Sequence, residues 1–179
     1  MPSIFSGITS LIQYNHLINF HPHSFRLDQC IYCGRNNPWC HGPYSRKSDR
    51  LNTVEDSLNP ILIQRYYCPG CKRTSSVLPE CIPARRWYLW EVQQVVFLLL
   101  MLGKSAYAIA KIAQPSRHTI RRWAHRLYEQ FRFHKDALCN HFIELGRTSS
   151  VSDFWQICLK KITLGSAMRL CHVAGVAIP

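Results

Sequence analysis

Two pairs of cysteines, each with two residues between the thiols, constrain this chain more than any other feature. Cys30 pairs with Cys33 and Cys68 with Cys71, and glycine follows the first pair and lies inside the second. Two intervening residues let both sulfurs turn towards one tetrahedral ion, at about 2.3 Å for zinc, and four thiolates fill a structural site. The spacing therefore predicts one structural Zn²⁺ bound by these four cysteines in a small β zinc ribbon over residues 29–83.

Other interpretations of the cysteines stay open at this point. The 34 residues between the pairs exceed the usual spacing of about 15–20. We expect a hairpin to absorb the excess, with a polar loop over residues 45–59 and a strand over residues 61–67. Cys40 and His41 lie close by and can compete as ligands. Free thiols or a redox site are the alternative, although a thioredoxin-like motif uses one pair in a βαβ context.

The charge of the chain points to a polyanionic partner. The formal net charge is +12 at neutral pH, which favours nucleic acid ahead of acidic lipid. The densest basic segment covers residues 117–126, with four arginines, two histidines and no acid. A basic face that is merely solvated is the alternative.

Beyond residue 90 the apolar periodicity becomes helical and predicts an all-α bundle, so that the fold class is α+β. We expect helices over residues 91–102, 105–113 and 116 to about 133, then two more over 134–145 and 153–164. Ser116 is a good N-cap, and Pro115 before it blocks continuation of the preceding helix. Four apolar residues at spacings of three and four predict a face that packs on the core: Ile120, Trp123, Ala124 and Leu127.

The opposite face of the third helix suits the major groove of DNA. An arginine fork matches the two acceptors of guanine, and a recognition helix presents its first turns to base edges. The predicted DNA-binding residues are Arg117, His118, Thr119, Arg121, Arg122 and His125. Thr119 either contacts a phosphate or helps the local turn. Gln114 and Pro115 replace the usual turn residues, glycine and an aliphatic, which leaves the angle between the helices open.

The order of these motifs resembles that of bacterial insertion-sequence transposases and their accessory proteins, in which a zinc ribbon precedes a helix-turn-helix. The resemblance covers about residues 29–130. It is carried by Cys30-Ile31-Tyr32-Cys33-Gly34, His41-Gly42-Pro43-Tyr44-Ser45-Arg46, Arg65-Tyr66-Tyr67-Cys68-Pro69-Gly70-Cys71-Lys72-Arg73-Thr74, Val77-Leu78-Pro79 and the segment from Ile109 to Trp123. The predicted segments are 1–28 without an assigned role, 29–83 as the zinc ribbon, 84–133 as the helix-turn-helix domain and 134–179 as C-terminal helices.

The resemblance implies sequence-specific binding of double-stranded DNA by a protein of a mobile element, without the family's nuclease domain. That domain needs three carboxylates holding two metal ions, and only 48 residues follow Phe131. We therefore expect no catalytic residues. A nuclease would have to rely on acids such as Asp136 and Glu144. The alternative function is a protein-interaction adaptor or a small transcriptional regulator, whose partner is a transposase subunit or a second copy of the chain.

We expect the protein to be cytoplasmic and associated with the nucleoid, without membrane contact. The longest apolar run, residues 95–102, is eight residues long, whereas a bilayer requires about 20. The first residues lack the basic start of a secretory signal. The apolar tail beyond residue 154 either binds a protein partner or packs back on the preceding helices.

Overall fold

The computed structural model describes residues 3–49, 58–84 and 88–176, and it confirms the α+β class. The chain divides into two compact units, Met1–Leu89 (unit 1) and Trp90–Pro179 (unit 2). The predicted boundary between residues 83 and 84 lies six residues before this division. Residues 50–57 of the predicted polar loop lie outside the described part of the chain.

Unit 1 is built on a four-stranded mixed sheet with the order β1-β4-β3-β2. Strand β1 runs parallel to β4, and the other neighbours are antiparallel. Strand β3 has the bounds that the sequence predicted. The elements are β1 (Ser3–Phe5), α1 (Leu11–Phe20), a 3-10 turn (Pro22–Phe25), β2 (Trp39–Arg46), β3 (Ile61–Tyr67) and β4 (Thr74–Pro79).

The N-terminal residues, which had no assigned role, form part of the core of unit 1. The hydroxyl of Tyr14 on α1 donates a hydrogen bond to the carbonyl of Leu62, at 2.7 Å. Tyr14 and Phe25 are fully buried, and their rings meet edge to face at 5.3 Å. The ring of Phe5 lies 5.2 Å from that of Phe25. Helix α1 thus covers the apolar side of the sheet, where burial of aromatic area stabilises the fold.

Unit 2 is all-helical within its described residues. None of the helices in residues 3–49, 58–84 and 88–176 has the length and apolar character that crossing a bilayer would require. The helices are α2 (Trp90–Met101), α3 (Ala106–Ile112), α4 (Arg117–Glu129), α5 (Phe131–Cys139), a 3-10 helix (Ile143–Arg147), α6 (Val151–Lys161) and α7 (Leu164–Val173).

The helix boundaries in the second half of unit 2 differ from the prediction. Helix α4 ends at Glu129, and the helix expected from residue 134 begins at Phe131 and ends at Cys139. Helix α7 was not predicted at all. An extended Ile162 ends α6, and the hydroxyl of Thr163 accepts a hydrogen bond from the N–H of Ser166 to begin α7. This cap favours the start of a new helix over continuation of α6. The apolar periodicity alone does not predict such a break.

Three of the four residues in the predicted apolar stripe of α4 are buried in the core of unit 2, and the fourth, Ala124, is half-buried. Ile120, Trp123 and Leu127 are at most 1% exposed, and the ring of Trp123 meets that of Phe97 on α2 edge to face at 6.5 Å. The tail contributes to the same unit: Phe154, Trp155, Leu164, Ala167, Met168 and Cys171 are fully buried. The tail therefore packs back on the preceding helices.

Candidate metal centre and nucleic-acid interface

The four predicted cysteines come together at one end of the sheet of unit 1. Their Sγ atoms all lie within 4.8 Å of one another. The Sγ atoms of Cys30 and Cys71 are 3.7 Å apart, and those of Cys33 and Cys68 are 3.6 Å apart. Four sulfurs at about 2.3 Å from one ion form a tetrahedron with edges of about 3.8 Å. The cluster therefore has the dimensions that a single tetrahedral metal ion requires.

Both cysteine pairs fold into the same backbone knuckle. The N–H of Cys30 donates to the carbonyl of Arg35 at 2.8 Å, and that of Gly34 to the carbonyl of Cys30 at 2.9 Å. In the second pair the N–H of Cys68 donates to the carbonyl of Arg73, and that of Lys72 to the carbonyl of Cys68, both at 2.9 Å. The fourth residue after each first cysteine is left-handed: φ is +71° at Gly34 and +57° at Lys72.

An arginine from each knuckle reaches across to the other. The guanidinium of Arg73 lies over the ring of Tyr32, 5.3 Å from its centroid. The side chain of Arg35 lies over Gly70, where a Cβ atom would come within 2.8 Å of Arg35 Cδ. Tyr32 and Gly70 occupy the same position within their knuckles. These crossed contacts bring two positive charges to the centre. Four thiolates around one divalent ion have a net charge of −2, which the two arginines offset.

The thiols of the second pair differ in acidity. The N–H groups of Cys71 and Gly70 donate to Cys68 Sγ and lower the pKa of this thiol to about 6. Burial raises the pKa of Cys71 to about 11. Binding of a cation by this cluster therefore releases protons from the thiols that still carry them.

Substitutions at the two left-handed knuckle residues should change the free energy of unfolding in opposite directions. Gly34→Ala should lower the free energy of unfolding by about 1–2 kcal/mol, since a Cβ is disfavoured at this φ. Lys72→Gly should raise it by up to about 1 kcal/mol, because it removes the same strain. Urea unfolding measures both. Gly146→Ala is the control, since a Cβ there meets only ordinary contact, with Cys139 Sγ at 3.8 Å. Equal effects of Gly34→Ala and Gly146→Ala would contradict the knuckle geometry.

The remaining cysteines lie outside this cluster. Among the described residues, the four-cysteine cluster is the only group of metal-binding side chains, so Cys40 and His41 do not join it. Cys40 lies on β2, where its register partner is Tyr66. Cys158 and Cys171 are buried in unit 2, and burial raises the pKa of each to about 12. These two thiols stay protonated and act as small core residues.

Helices α3 and α4 pack together through a four-residue connection, residues 113–116. The side chain of Ser105 caps α3 and that of Ser116 caps α4, each accepting a hydrogen bond from the N–H three residues on. Ala113 and Ser116 are extended, and Pro115 between them is buried. The proline thus ends one helix and anchors the connection in the core.

The predicted DNA-contacting residues share the solvent side of α4, with one exception. Arg117, His118, Arg121, Arg122 and His125 are exposed, as is Arg126, which the sequence placed in the basic segment but not among the contacts. Thr119 is half-buried, and its hydroxyl lies 3.1 Å from Ser116 Oγ, which favours a role in the turn. His125 Nε2 lies 3.1 Å from Glu129 Oε1.

The two acids considered for a nuclease do not form a metal-binding group within the described residues. Glu144 Oε1 pairs with Lys161 Nζ at 2.7 Å, and this hydrogen bond lowers the pKa of Glu144. Asp136 is exposed on α5 and lines a cavity of about 450 Å³.

Comparison of the chain with protein-family models, with curated proteins and with solved structures gave no match. Two features of the molecule are candidate functional sites: the four-cysteine centre of unit 1 and the basic face of α4 in unit 2.

Proposed function

We propose that this chain is a zinc-stabilised, sequence-specific DNA-binding protein, similar to the DNA-binding part of insertion-sequence transposases, and that α4 is its recognition helix. One observation carries the proposal. Helix α4 exposes Arg117, His118, Arg121, Arg122 and His125 on one side, while its other side is fixed in the core. A helix so held keeps the backbone positions of its basic residues fixed relative to the core of unit 2.

The dimensions and charge of α4 suit a major groove. Its 13 residues span about 20 Å, and a groove about 12 Å wide admits one α-helix. The partial positive charge at the helix N-terminus adds to the charge of Arg117 near phosphates. Arg121 and Arg122 lie one turn further on, where a recognition helix meets base edges. In this arrangement α3 and α4 act as a helix-turn-helix.

In the same proposal the four-cysteine centre is the structural zinc site of a ribbon. Thiolate ligands suit Zn²⁺, and a site filled by four protein ligands leaves no open position for substrate. The ion would then stabilise the fold and take no part in a reaction. The protein would bind DNA in the nucleoid without cutting it, either beside a transposase or as a small regulator.

Replacing both Arg121 and Arg122 with alanine tests the role of α4. We expect duplex affinity to fall by about 10- to 100-fold. Loss of a base contact weakens the free energy of binding by about 1–3 kcal/mol, and loss of a phosphate contact weakens it by less. The slope of log affinity against log salt should become shallower by about 0.9 for each phosphate that the variant no longer neutralises. Electrophoretic shifts on sequences selected from a random pool, over a series of salt concentrations, measure both quantities.

A matched double variant distinguishes the loss of contacts made by α4 from the loss of net positive charge. Arg132 and Arg147 are exposed on α5 and the 3-10 helix, so Arg132→Ala with Arg147→Ala removes the same charge elsewhere in unit 2. The proposal requires a much smaller loss of affinity for this control. Equal losses, or unchanged binding by the Arg121 and Arg122 variant, would remove α4 from the interface.

A further inference from the structure

Three aromatic side chains form an exposed patch on the sheet of unit 1, which we call the aromatic face: Trp39, His41 and Tyr67. Trp39 is 63% exposed, His41 is exposed and Tyr67 is half-buried. The ring of Tyr67 lies 6.3 Å from that of Trp39 and 6.0 Å from that of His41. A single exposed aromatic side chain is common, whereas several exposed rings in contact form a patch of the kind that binds a partner.

The strand register places two of these rings on one side of the sheet, since Trp39 and Tyr67 are direct partners across β2 and β3. His41 lies in the irregular part of the register that follows Cys40, and its ring joins this face through its contact with Tyr67. Cys40 and Tyr66, the neighbouring pair, belong to the opposite face, where Tyr66 is 4% exposed. The core therefore holds the strands from behind, and the aromatic face is presented on a rigid support.

The strands that carry the aromatic face have no acidic residue. Strands β2 to β4 and the second knuckle, residues 39–46, 61–67 and 68–79, contain four cations and no acid. Two of the cations have other contacts: Arg46 donates to the carbonyl of Pro83, and Arg65 lies over the ring of Tyr44. Thr74 is the register partner of Tyr67 on β4, and Lys72 and Arg73 immediately precede it. Lys72 and Arg73 are exposed. Two exposed cations thus lie one and two residues before the register partner of Tyr67, and the guanidinium of Arg73 also lies over the ring of Tyr32.

We propose that the aromatic face binds single-stranded nucleic acid. Unpaired bases stack on exposed aromatic rings, and nearby cations neutralise the phosphates between them. Bases within a duplex are already stacked and cannot reach a flat sheet, so this surface should prefer single strands. The site lies in unit 1, does not involve α4, and does not depend on the function proposed for α4.

Replacing Trp39 with alanine in the zinc-loaded 179-residue chain tests this site. Fluorescence anisotropy with labelled oligo(dT), oligo(U) and a duplex measures the affinities. We expect single-strand binding to weaken on the order of ten-fold, and Trp39→Phe to restore part of it. Phe20→Ala is the matched control, because Phe20 is 69% exposed on α1 in the same unit and lies outside the aromatic face. Tighter binding of oligo(U) would identify RNA as the ligand, and tighter binding of oligo(dT) would identify DNA.

The two nucleic-acid sites can fail separately. Trp39→Ala should leave duplex binding unchanged, and the variant lacking Arg121 and Arg122 should retain binding of single strands. Absence of single-strand binding by the unmodified chain would overturn the inference. So would equal losses from Trp39→Ala and Phe20→Ala. Metal content and circular dichroism of each variant establish that it is folded, and Trp39→Phe provides the comparison if the alanine variant is not.

Discussion

Removal of the metal is expected to lower the free energy of unfolding of unit 1 by several kcal/mol. The free energy of zinc binding is about 10–16 kcal/mol in zinc-finger peptides, and it drives the folding of those peptides. The effect here should be smaller, because unit 1 also has an apolar core around Tyr14, Phe25 and Ile63. We expect the knuckles and the adjacent strand ends to open first. Urea unfolding with and without a strong chelator measures the loss of stability.

Two exposed cysteines provide a matched pair of variants for the same prediction. Cys33 and Cys40 are both exposed, so serine at either position leaves no cavity in the core. Cys33→Ser should lose the bound metal and most of the stability that chelation removes, whereas Cys40→Ser should keep one ion per chain. Metal analysis by atomic emission decides between them. Metal loss from Cys40→Ser alone, or an unmodified protein whose urea unfolding is unchanged by the chelator, would contradict the proposed centre.

Trp123→Ala is expected to lower the free energy of unfolding of unit 2 by about 3–5 kcal/mol. Trp123 is 1% exposed and packs edge to face on Phe97, so alanine would leave a large cavity between α2 and α4. The basic face of α4 should lose its fixed orientation with it. Urea unfolding followed by far-ultraviolet circular dichroism reports mainly on the helices and hence on unit 2.

The control for Trp123→Ala lies on the same helix. Tyr128 is 50% exposed on α4, and its replacement by alanine should change stability by no more than about 0.5 kcal/mol. Similar destabilisation of the two variants would show that the stripe of α4 is not core. A destabilised Trp123→Ala protein that bound duplex DNA with full affinity when folded would show that the orientation of α4 does not depend on this ring.

The sequence was most informative where a few neighbouring residues determine the structure. The spacing of two residues within each cysteine pair identified the four side chains that come together, although 34 residues separate the pairs. Ser116 and the spacing of Ile120, Trp123 and Leu127 identified the start and the buried side of α4. Caps and periodicity act over one or two helical turns, so they can be recognised without tertiary information.

Boundaries and distant pairings were less accessible from the sequence. The end of α4 at Glu129 and the start of α7 after Thr163 depend on local breaks within otherwise helical periodicity. The aromatic face was missed because Trp39 and Tyr67 belong to different strands and meet only through the register of β2 and β3. From the sequence, His41 is a competing metal ligand and part of the motif that carries the family resemblance, and neither role places it beside Tyr67.

The sequence by itself determined which cysteines can share an ion, which helix carries the dense positive charge, and which side of that helix is apolar, because these properties reside in residues close together in the chain. Only the tertiary structure decided the place of the N-terminal segment, whose strand β1 pairs with β4 across more than 70 residues and whose Tyr14 bonds to Leu62. It also decided that the apolar tail is core. Such contacts form when separate elements bury a common apolar surface, and the pattern within one element does not specify its partner.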